Sequence, residues 1–273
     1  MPRPLRFALN RMVAPSLSLV EFIDLALDLK IDAIELRNDL PGVEITDGTP
    51  PERVRELCAS RGVRVLSINA LYPFDVWNPE RERQLRQLAG YAVACGARGL
   101  VLCPLNEAGD ARDAAQRALA LRSALEGIAP VLRRHGLCGL IEPLGFQESA
   151  LCSKRLALEA VRDTASLDVL RLLHDTFHHR LAGEQELFAE LTGLVHISGV
   201  EDAQAPLGLL RDGHRALVSA ADRLGNVAQL EALLHQGYTG YLSFEPFAAC
   251  VHGQVDIRQA LGASIDHLRQ ALE

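Results

Sequence analysis

The sequence predicts an α/β fold made of a single (β/α)8 barrel, or TIM barrel, that spans residues 1–273. Eight short apolar segments typical of strands alternate strictly with eight amphipathic segments of helical periodicity, and no linker divides the chain. Strict alternation predicts parallel strands joined by crossover helices, and barrels of this type need about 250 residues. The alternative is a doubly wound open sheet, which usually has fewer strands and a glycine-rich phosphate-binding turn after its first strand. No such turn follows the first segment here.

The first four strand–helix units have clear boundaries in the sequence. Ser18 and Glu21 form a capping box at the start of the first helix. Pro50 or Pro51 stands where the second helix begins, and Gly62 and Gly96 end the second and third helices. The predicted strands are 6–10, 33–37, 63–71 and 99–105, and the predicted helices are 17–29, 50–61, 79–95 and 111–135.

The last four units repeat the same pattern and contain one long irregular stretch. Gly193 and Gly237 follow the sixth and seventh predicted helices and end them. The predicted strands are 139–142, 170–175, 194–198 and 241–245, and the predicted helices are 153–164, 184–192, 226–236 and 256–272. The stretch 199–225 has no strand or helix pattern, and long loops in compact domains are usually functional or disordered.

The chain is acidic, with 28 Lys and Arg against 35 Asp and Glu and a net charge of −7. Surfaces that bind nucleic acid are usually basic, so DNA and RNA are disfavoured as partners. The N-terminus lacks the apolar core of a signal peptide, and every apolar segment is too short to span a membrane. The six cysteines form no Cys-x-x-Cys pair and no zinc-ribbon spacing. We therefore expect a cytoplasmic protein with buried, reduced thiols.

The ends of the last four strands carry ionisable residues, and in a barrel of this type the chemistry lies at the carboxyl ends of the strands. Glu142, Asp175, His196 and Glu245 lie at or next to the ends of predicted strands five to eight. Three carboxylates and an imidazole close together are costly to bury unless a cation lies between them. This donor set predicts one divalent metal ion, Mn²⁺, Mg²⁺, Co²⁺ or Zn²⁺, and residue type alone does not select among them.

Other residues near strand ends are candidates for substrate binding at the same mouth. Glu35 and Asn69 lie near the ends of strands two and three, Glu148 follows strand five, and His178 follows strand six. Glu35 could instead bind backbone groups or cap a helix. Trp77, the only tryptophan, follows strand three, where it forms either an apolar wall over the site or ordinary packing beneath a loop.

These motifs also carry a family resemblance, which covers nearly the whole chain. Its most specific parts are Glu142-Pro-Leu with Glu148, Asp175-Thr-Phe-His178, His196-Ile-Ser and Phe244-Glu245-Pro-Phe. With them the chain resembles the xylose isomerase-like TIM-barrel superfamily, which includes sugar isomerases, ketose 3-epimerases, inosose isomerases and apurinic-site endonucleases. The loop after strand seven and the segment leading to Glu245 are most similar to the inosose (2-keto-myo-inositol) isomerase branch.

The resemblance implies roles for particular residues. In the ketose 3-epimerase branch, the positions of Glu142, Asp175, His196 and Glu245 hold one divalent metal, and the two glutamates act as acid and base. The positions of Glu148 and His178 contact the substrate in that branch. One departure is that the epimerases have an arginine six residues after the strand-seven histidine, where this chain has Asp202. Arg215 is either the replacement for that arginine or an ordinary arginine of a surface loop.

The predicted reaction is a proton shift next to a carbonyl, in which the metal stabilises an enediolate and Glu142 and Glu245 transfer the proton. The predicted substrate is a small, unphosphorylated polyol ketone or sugar, for which the resemblance implies 2-keto-myo-inositol, and analogy with barrels of this kind predicts a homodimer. A ketose 3-epimerase, a hydroxypyruvate-type isomerase and an inosose dehydratase are the alternatives. A hydride shift would need a second metal cluster, which the sequence lacks. An apurinic-site endonuclease is the remote alternative, because it would need three metals and a basic surface.

Overall fold

The computed structural model of the chain describes residues 5–272. Its strands are β1 (Arg6–Asn10), β2 (Ala33–Arg37), β3 (Arg64–Leu71), β4 (Gly99–Leu102), β5 (Cys138–Ile141), β6 (Leu170–Asp175), β7 (Thr192–Ile197) and β8 (Tyr241–Phe244). All neighbours pair in parallel and in sequence order, and β1 closes the barrel against β8, with Arg6 opposite Tyr241 and Leu9 opposite Phe244. The predicted closed barrel is confirmed, and the open doubly wound sheet is excluded.

In the part of the chain that the structure describes, one α-helix follows each of the first seven strands, and two α-helices follow β8. They are α1 (Leu19–Asp28), α2 (Pro51–Ser60), α3 (Pro79–Cys95), α4 (Ala114–His135), α5 (Lys154–Asp163), α6 (Thr176–Ala182), α7 (Asn226–His235), α8 (Ala249–His252) and α9 (Ile257–Leu272). The predicted capping box is present, since Ser18 and Glu21 each accept a hydrogen bond from the other's backbone N–H. Within residues 5–272, no helix is both long and apolar enough to cross a membrane.

The predicted helix 184–192 is wrong, because the helix after β6 begins eight residues earlier. The carboxylate of Asp175 accepts hydrogen bonds from two backbone N–H groups of α6, and Gly183 ends that helix at a φ of 64°. Glu184 instead accepts hydrogen bonds from the backbone N–H groups that open α5. Phe188 has a φ of 56°, which an α-helix cannot contain, and only a 3-10 turn precedes β7. The strand itself therefore starts at residue 192 rather than 194.

Buried apolar side chains form separate clusters, two of which include residues of the strands. The larger cluster lies between the strands and the helices around them. A smaller cluster takes one residue from most of the strands: Ala8, Ala33, Val101, Leu140, Leu173, Leu194 and Tyr241. Side chains two apart on a strand point to the same face, so the residues that follow these by two positions form the next layer inside the barrel. That next layer includes Glu35, Glu142, Asp175 and His196.

All six cysteines are free, as the sequence predicts. Cys58 and Cys95 are buried, and Cys103, Cys138 and Cys152 are half-buried, but Cys250 is exposed in α8. The prediction that the thiols are buried is therefore wrong for Cys250. Cys103 is the first residue after β4 and lies two positions after Val101, so its side chain points to the same inner face. Its thiol therefore lies in the layer of the ionisable residues.

Candidate metal centre and active site

Four buried side chains converge at the carboxyl ends of the last four strands. Glu142 and Glu245 directly follow β5 and β8, Asp175 ends β6, and His196 lies one residue before the end of β7. Each offers one ligand atom, and these atoms all lie within 4.8 Å of one another. The barrel thus brings together the four residues that the sequence predicts as metal ligands.

His196 is oriented so that one ring nitrogen faces the other three ligands. Its Nδ1 lies 3.0 Å from Glu245 Oε2 and 3.2 Å from Glu142 Oε1. Its Nε2 lies on the opposite side of the ring, 3.1 Å from Glu35 Oε1. A carboxylate that accepts the outer N–H of a histidine fixes the tautomer and leaves the other nitrogen free for a metal. The contact with Glu35 therefore directs Nδ1 of His196 into the site.

Glu35 is itself held by hydrogen bonds from the walls of the barrel. The hydroxyls of Ser67 and Ser243 donate to its two oxygens at 2.5 Å, and Asn69 Nδ2 donates at 3.2 Å. Burial disfavours the charged carboxylate, but the charge of His196 and these hydrogen bonds outweigh it and lower the pKa of Glu35. The structure thus places Glu35 and Asn69, both predicted to bind substrate, behind His196.

The donor set and its charge fit a divalent cation. Three carboxylates and one imidazole nitrogen suit the divalent metals that the sequence predicts. Burial disfavours a charged imidazole, yet the carboxylates of Glu245, Glu35 and Glu142 outweigh it and hold the pKa of His196 well above its usual value. A histidine that binds a metal must be neutral, and with His196 neutral the four carboxylates, Asp175 included, exceed the two buried guanidinium groups beside them by two negative charges. That excess is what a divalent ion would neutralise.

Arg215 reaches this group from the long loop after β7. Its Nη2 lies 2.5 Å from Asp175 Oδ2 and 2.8 Å from Glu245 Oε2. Its Nε donates to Ser198 Oγ at 3.0 Å, and the whole side chain is buried. The structure therefore places Arg215 within the site and not on the surface of the loop.

Arg37 is a second buried arginine at the site, contributed by β2. Its Nη1 lies 2.6 Å from Glu245 Oε1, while its Nε and Nη2 donate to the two oxygens of Asp39 at 2.8 and 2.6 Å. Burial disfavours the charged carboxylate of Glu245, but His196, Arg215 and Arg37 outweigh it and hold its pKa well below the usual value. Glu245 is therefore ionised near neutral pH.

His178 lies in the first turn of α6, buried between aromatic rings. Its Nδ1 accepts a hydrogen bond from the backbone N–H of Gly145 at 3.2 Å, and its ring packs edge-on against Phe146 and Phe177. Burial, helped by the charge of Arg215, lowers the pKa of His178 to about 4. The imidazole is therefore neutral near pH 7, with its hydrogen on Nε2 and available to donate.

Glu148 lies further out, in the loop after β5. It is partly exposed, and its Oε1 lies 3.7 Å from Arg211 Nη2. The guanidinium of Arg211 in turn lies over the ring of Phe146, 5.5 Å from its centre. Among residues 5–272, no hydrogen bond or ion pair joins Glu148 to the four-residue group, so the structure places it at the rim.

Trp77 lies away from the four-residue group. Its indole covers Gly127 of α4 so closely that a Cβ on Gly127 would lie 2.3 Å from the ring. The side chain packs against the main apolar cluster between strands and helices. Of the two roles that the sequence leaves open for Trp77, this position corresponds to packing beneath the loop.

Two residues of the site, Arg37 and Cys103, were missed in the sequence. The thiol of Cys103 donates to Glu142 Oε2 at 3.3 Å. Arg37 follows Glu35 by two positions on the same strand, so both side chains point into the barrel. The period-two alternation within each strand was the signal that could have identified both residues.

A family model for xylose isomerase-like TIM barrels matches residues 23–271. The chain is a member of the xylose isomerase-like TIM barrel family. A xylose isomerase domain-containing protein from Salmonella typhimurium LT2 is 33% identical, with a TM-score of 0.90 and 98% of each chain covered. The IolI protein with a bound zinc atom is 18% identical, with a TM-score of 0.87 and 98% of each chain covered.

A third solved structure has the same fold at greater distance. The 3-keto-D-glucoside 4-epimerase YcjR from E. coli is 17% identical, with a TM-score of 0.71, and the match covers 98% of this chain and 100% of that chain. No curated protein matches the chain by sequence. The likenesses to IolI and to YcjR show the shared barrel.

Asp202 stands at the position where the resemblance to the epimerases implies an arginine. Asp202 is exposed, and its Oδ1 accepts hydrogen bonds from the backbone N–H groups of Gln204 and Ala205 at 2.9 and 3.2 Å. Asp202 therefore shapes the loop, while Arg215 from later in the same loop supplies a positive charge to the site.

Proposed function

We propose that the chain is a divalent-metal-dependent isomerase of a cyclic polyol ketone, with 2-keto-myo-inositol as the first candidate substrate. The observation that carries the proposal is the buried group of Glu142, Asp175, His196 and Glu245, with the histidine Nδ1 directed inward. Family membership supports an isomerase or epimerase, and the zinc in IolI supports a metal in a barrel of the same shape.

The chain's own residues would bind the substrate and move the proton. A bound divalent ion supplies Lewis-acid polarisation of a carbonyl and stabilises the negative charge that develops when a neighbouring proton leaves. The carboxylates of Glu142 and Glu245 are the proton-transferring candidates, since both lie against the metal position. His178 would donate its Nε2 hydrogen to a substrate oxygen, and Glu148 at the rim would accept a hydrogen bond from a hydroxyl.

The charge balance supports a neutral substrate. The carboxylates Glu35, Glu142, Asp175 and Glu245 are matched by two guanidinium groups and one divalent ion, so the loaded site has no positive charge left for a phosphate or a carboxylate. We therefore infer an unphosphorylated polyol ketone or sugar as the partner. We expect the enzyme to act in the cytoplasm, which suits its free cysteines.

A ketose 3-epimerase is the second candidate. Glu142 and Glu245 lie at nearly equal distances, 3.2 and 3.0 Å, from the Nδ1 of His196. Two carboxylates on either side of a bound ketose are what inversion at one carbon would use. A dehydratase and a hydroxypyruvate-type isomerase would begin with the same proton abstraction, so the product distinguishes all of these candidates.

The test is solvent deuterium exchange followed by NMR. The zinc- or manganese-loaded protein is incubated in D₂O with 2-keto-myo-inositol, D-fructose, D-psicose or hydroxypyruvate. The proposal predicts metal-dependent deuterium incorporation next to the carbonyl of 2-keto-myo-inositol, formation of an isomeric inosose, and loss of both after chelation. Turnover of a ketose alone would favour the epimerase, and loss of water from the inosose would favour the dehydratase. No exchange into any of the four compounds would contradict the proposal.

A further inference from the structure

Both oxygens of Glu245 are occupied by protein donors. Oε1 accepts hydrogen bonds from Arg37 Nη1 at 2.6 Å and from Asn10 Nδ2 at 3.2 Å. Oε2 lies 2.8 Å from Arg215 Nη2 and 3.0 Å from His196 Nδ1, which is the side of the metal position. Charge-assisted hydrogen bonds of this kind are strong and directional, so Glu245 is fixed through both of its oxygens.

The two arginines that hold Glu245 are themselves fixed. Arg37 forms a bidentate pair with Asp39, and its guanidinium lies over the ring of Phe247, 5.3 Å from the ring centre. The guanidinium of Arg215 lies over the same ring at 4.6 Å, and Ser198 accepts a hydrogen bond from its Nε. Phe247 therefore packs against both cations, and neither is free to swing away from Glu245.

Glu142 has a different environment. Its Oε1 faces His196 Nδ1 at 3.2 Å, which is the metal position. The hydrogen bond to its Oε2 comes from the thiol of Cys103 at 3.3 Å, and a thiol is a weak donor. Within residues 5–272, no arginine forms an ion pair with Glu142. Glu142 therefore keeps an oxygen that a substrate can approach.

We propose that Arg37 is a positioning residue that reserves Glu245 as a fixed ligand and leaves Glu142 as the single carboxylate that transfers the proton. This inference rests on the proposed function and assigns its proton transfer. A single base on one face of the substrate moves hydrogen between neighbouring carbons. Inversion at one carbon needs a second proton donor on the opposite face. The arrangement therefore favours isomerisation over epimerisation.

The reaction on this assignment balances without any co-reactant. Glu142 takes the proton from the carbon beside the carbonyl, the C–H electron pair forms a C=C bond, and the carbonyl pair moves onto its oxygen. Glu142 then returns the proton to the former carbonyl carbon. One further proton moves from the neighbouring hydroxyl to the former carbonyl oxygen, so a new carbonyl forms one position along and the formula is unchanged.

The first experiment follows the migrating hydrogen. The zinc-loaded protein is given 2-keto-myo-inositol that carries deuterium on the carbons beside the carbonyl, in ordinary water. Part of the deuterium should appear on the former carbonyl carbon of the product, with no inverted inosose at the labelled positions. An inverted product that carries only solvent hydrogen would overturn the assignment to Glu142 while leaving the isomerase or epimerase class intact.

A variant of Arg37 separates positioning from substrate binding. Because Arg37 acts through Glu245, Arg37→Gln should lower kcat about 10- to 100-fold with little change in KM, and Arg37→Lys should restore part of the loss. Arg133→Gln, which removes an exposed bidentate pair with Asp168, is the matched control and should leave both constants unchanged. A rise in KM at constant kcat would mean that Arg37 contacts the substrate, and the proposal would be wrong.

A crystal structure supplies a readout that needs no turnover. In the zinc-loaded protein soaked with myo-inositol, which has no carbonyl, Arg37 Nη1 should remain within hydrogen-bond distance of Glu245 Oε1. Glu142 Oε2 should be the carboxylate oxygen that faces the opening of the site. A Glu245 that has rotated away from Arg37 would overturn the inference, whereas a failure of all exchange reactions would count against the proposed function instead.

Discussion

Glu35 has no free hydrogen-bonding capacity, although it is a carboxylate completely removed from solvent. The residues that donate to it or lie against it are Asn10, Ser67, Asn69, His196 and Ser243. Polar groups buried to this extent are stable only when they are fully hydrogen-bonded. At the residue scale, Glu35 therefore acts on the candidate metal indirectly, by fixing the ring of His196.

The first prediction concerns this residue. Glu35→Gln keeps the size of the side chain but removes the charge that holds the outer nitrogen of His196. We expect zinc affinity, measured by calorimetry, to fall about 10- to 100-fold. Glu56→Gln, on the exposed side of α2, is the control and should bind zinc like the unmodified chain. Equal affinities in the two variants would show that Glu35 does not orient the ligand.

The four ligand residues could be predicted because each stands at a strand end, where the barrel brings them together regardless of exact register. Arg37 could not be assigned in the same way. Its partner Glu245 lies 208 positions further along the chain, and their contact exists only because β1 pairs with β8 and with β2. The role of Arg215 depended on the path of an irregular loop, which no periodicity describes.

At the scale of elements, a buried polar chain connects the helices around β6. Lys154 Nζ of α5 lies 3.0 Å from His174 Nδ1, and His174 Nε2 lies 3.0 Å from Gln229 Oε1 of α7. The amide nitrogen of Gln229 donates to the backbone carbonyl of Thr176 in α6. This chain, which we call the β6 brace, fixes the segment that carries Asp175 and His178.

The second prediction uses the titration of the β6 brace. Burial lowers the pKa of Lys154 to about 8, against the opposing pull of Glu184 and Glu186. Between about pH 8 and the ordinary lysine pKa, Lys154 holds a proton in the unfolded chain but not in the folded chain. The contribution of Lys154 to the unfolding free energy therefore rises with pH. The unfolding free energy of the unmodified chain, relative to Lys154→Met, should increase by about 2 kcal/mol from about pH 7 to about pH 9.5.

Urea unfolding at the two pH values measures this difference. Lys30, the only other lysine, is exposed, and Lys30→Met is the matched control. The difference in unfolding free energy between the unmodified chain and Lys30→Met should be the same at both pH values. If the difference in unfolding free energy between the unmodified chain and Lys154→Met were also the same at both pH values, the amine of Lys154 would titrate in the folded chain as it does in water.

The predicted helix 184–192 does not form, because tertiary contacts override its sequence pattern. Its apolar residues Leu187, Phe188 and Leu191 recur at helical spacing, but Glu184 is engaged at the start of α5 and Phe188 has a left-handed backbone. The true helix, α6, carries its own signals, with Asp175 before it and Gly183 after it. The sequence predicts Asp175 as a metal ligand, and in the structure Asp175 also caps a helix.

The third prediction compares two glycines within helices. A Cβ on Gly127 of α4 would lie 2.3 Å from Trp77, whereas a Cβ on Gly90 of α3 would have no atom within 4 Å. Gly127→Ala should therefore lower the unfolding free energy by about 1–3 kcal/mol through overpacking. Gly90→Ala should raise it by about 0.5–1 kcal/mol, because alanine favours the helix. Equal effects in urea unfolding would contradict the close packing of Trp77.

At the scale of the whole molecule, the closed barrel follows from strict alternation of strand and helix patterns over the whole chain. The sequence predicts eight strands in order, and the structure pairs them in that order. Closure then stacks two layers inside the barrel, an apolar layer and, two residues further along the strands, the ionisable layer of the site. The fold supplies the geometry of the site, and the residues at the strand ends supply its chemistry.

The central claim is that one divalent ion binds to Glu142, Asp175, His196 and Glu245. The most direct measurement is the zinc content of the loaded and desalted protein, determined by mass spectrometry beside Glu245→Gln and, as control, Glu148→Gln at the rim. The account predicts one zinc per chain, retained in the Glu148 variant and lost in the Glu245 variant. No zinc in the unmodified chain, or full zinc content without the Glu245 carboxylate, would contradict it.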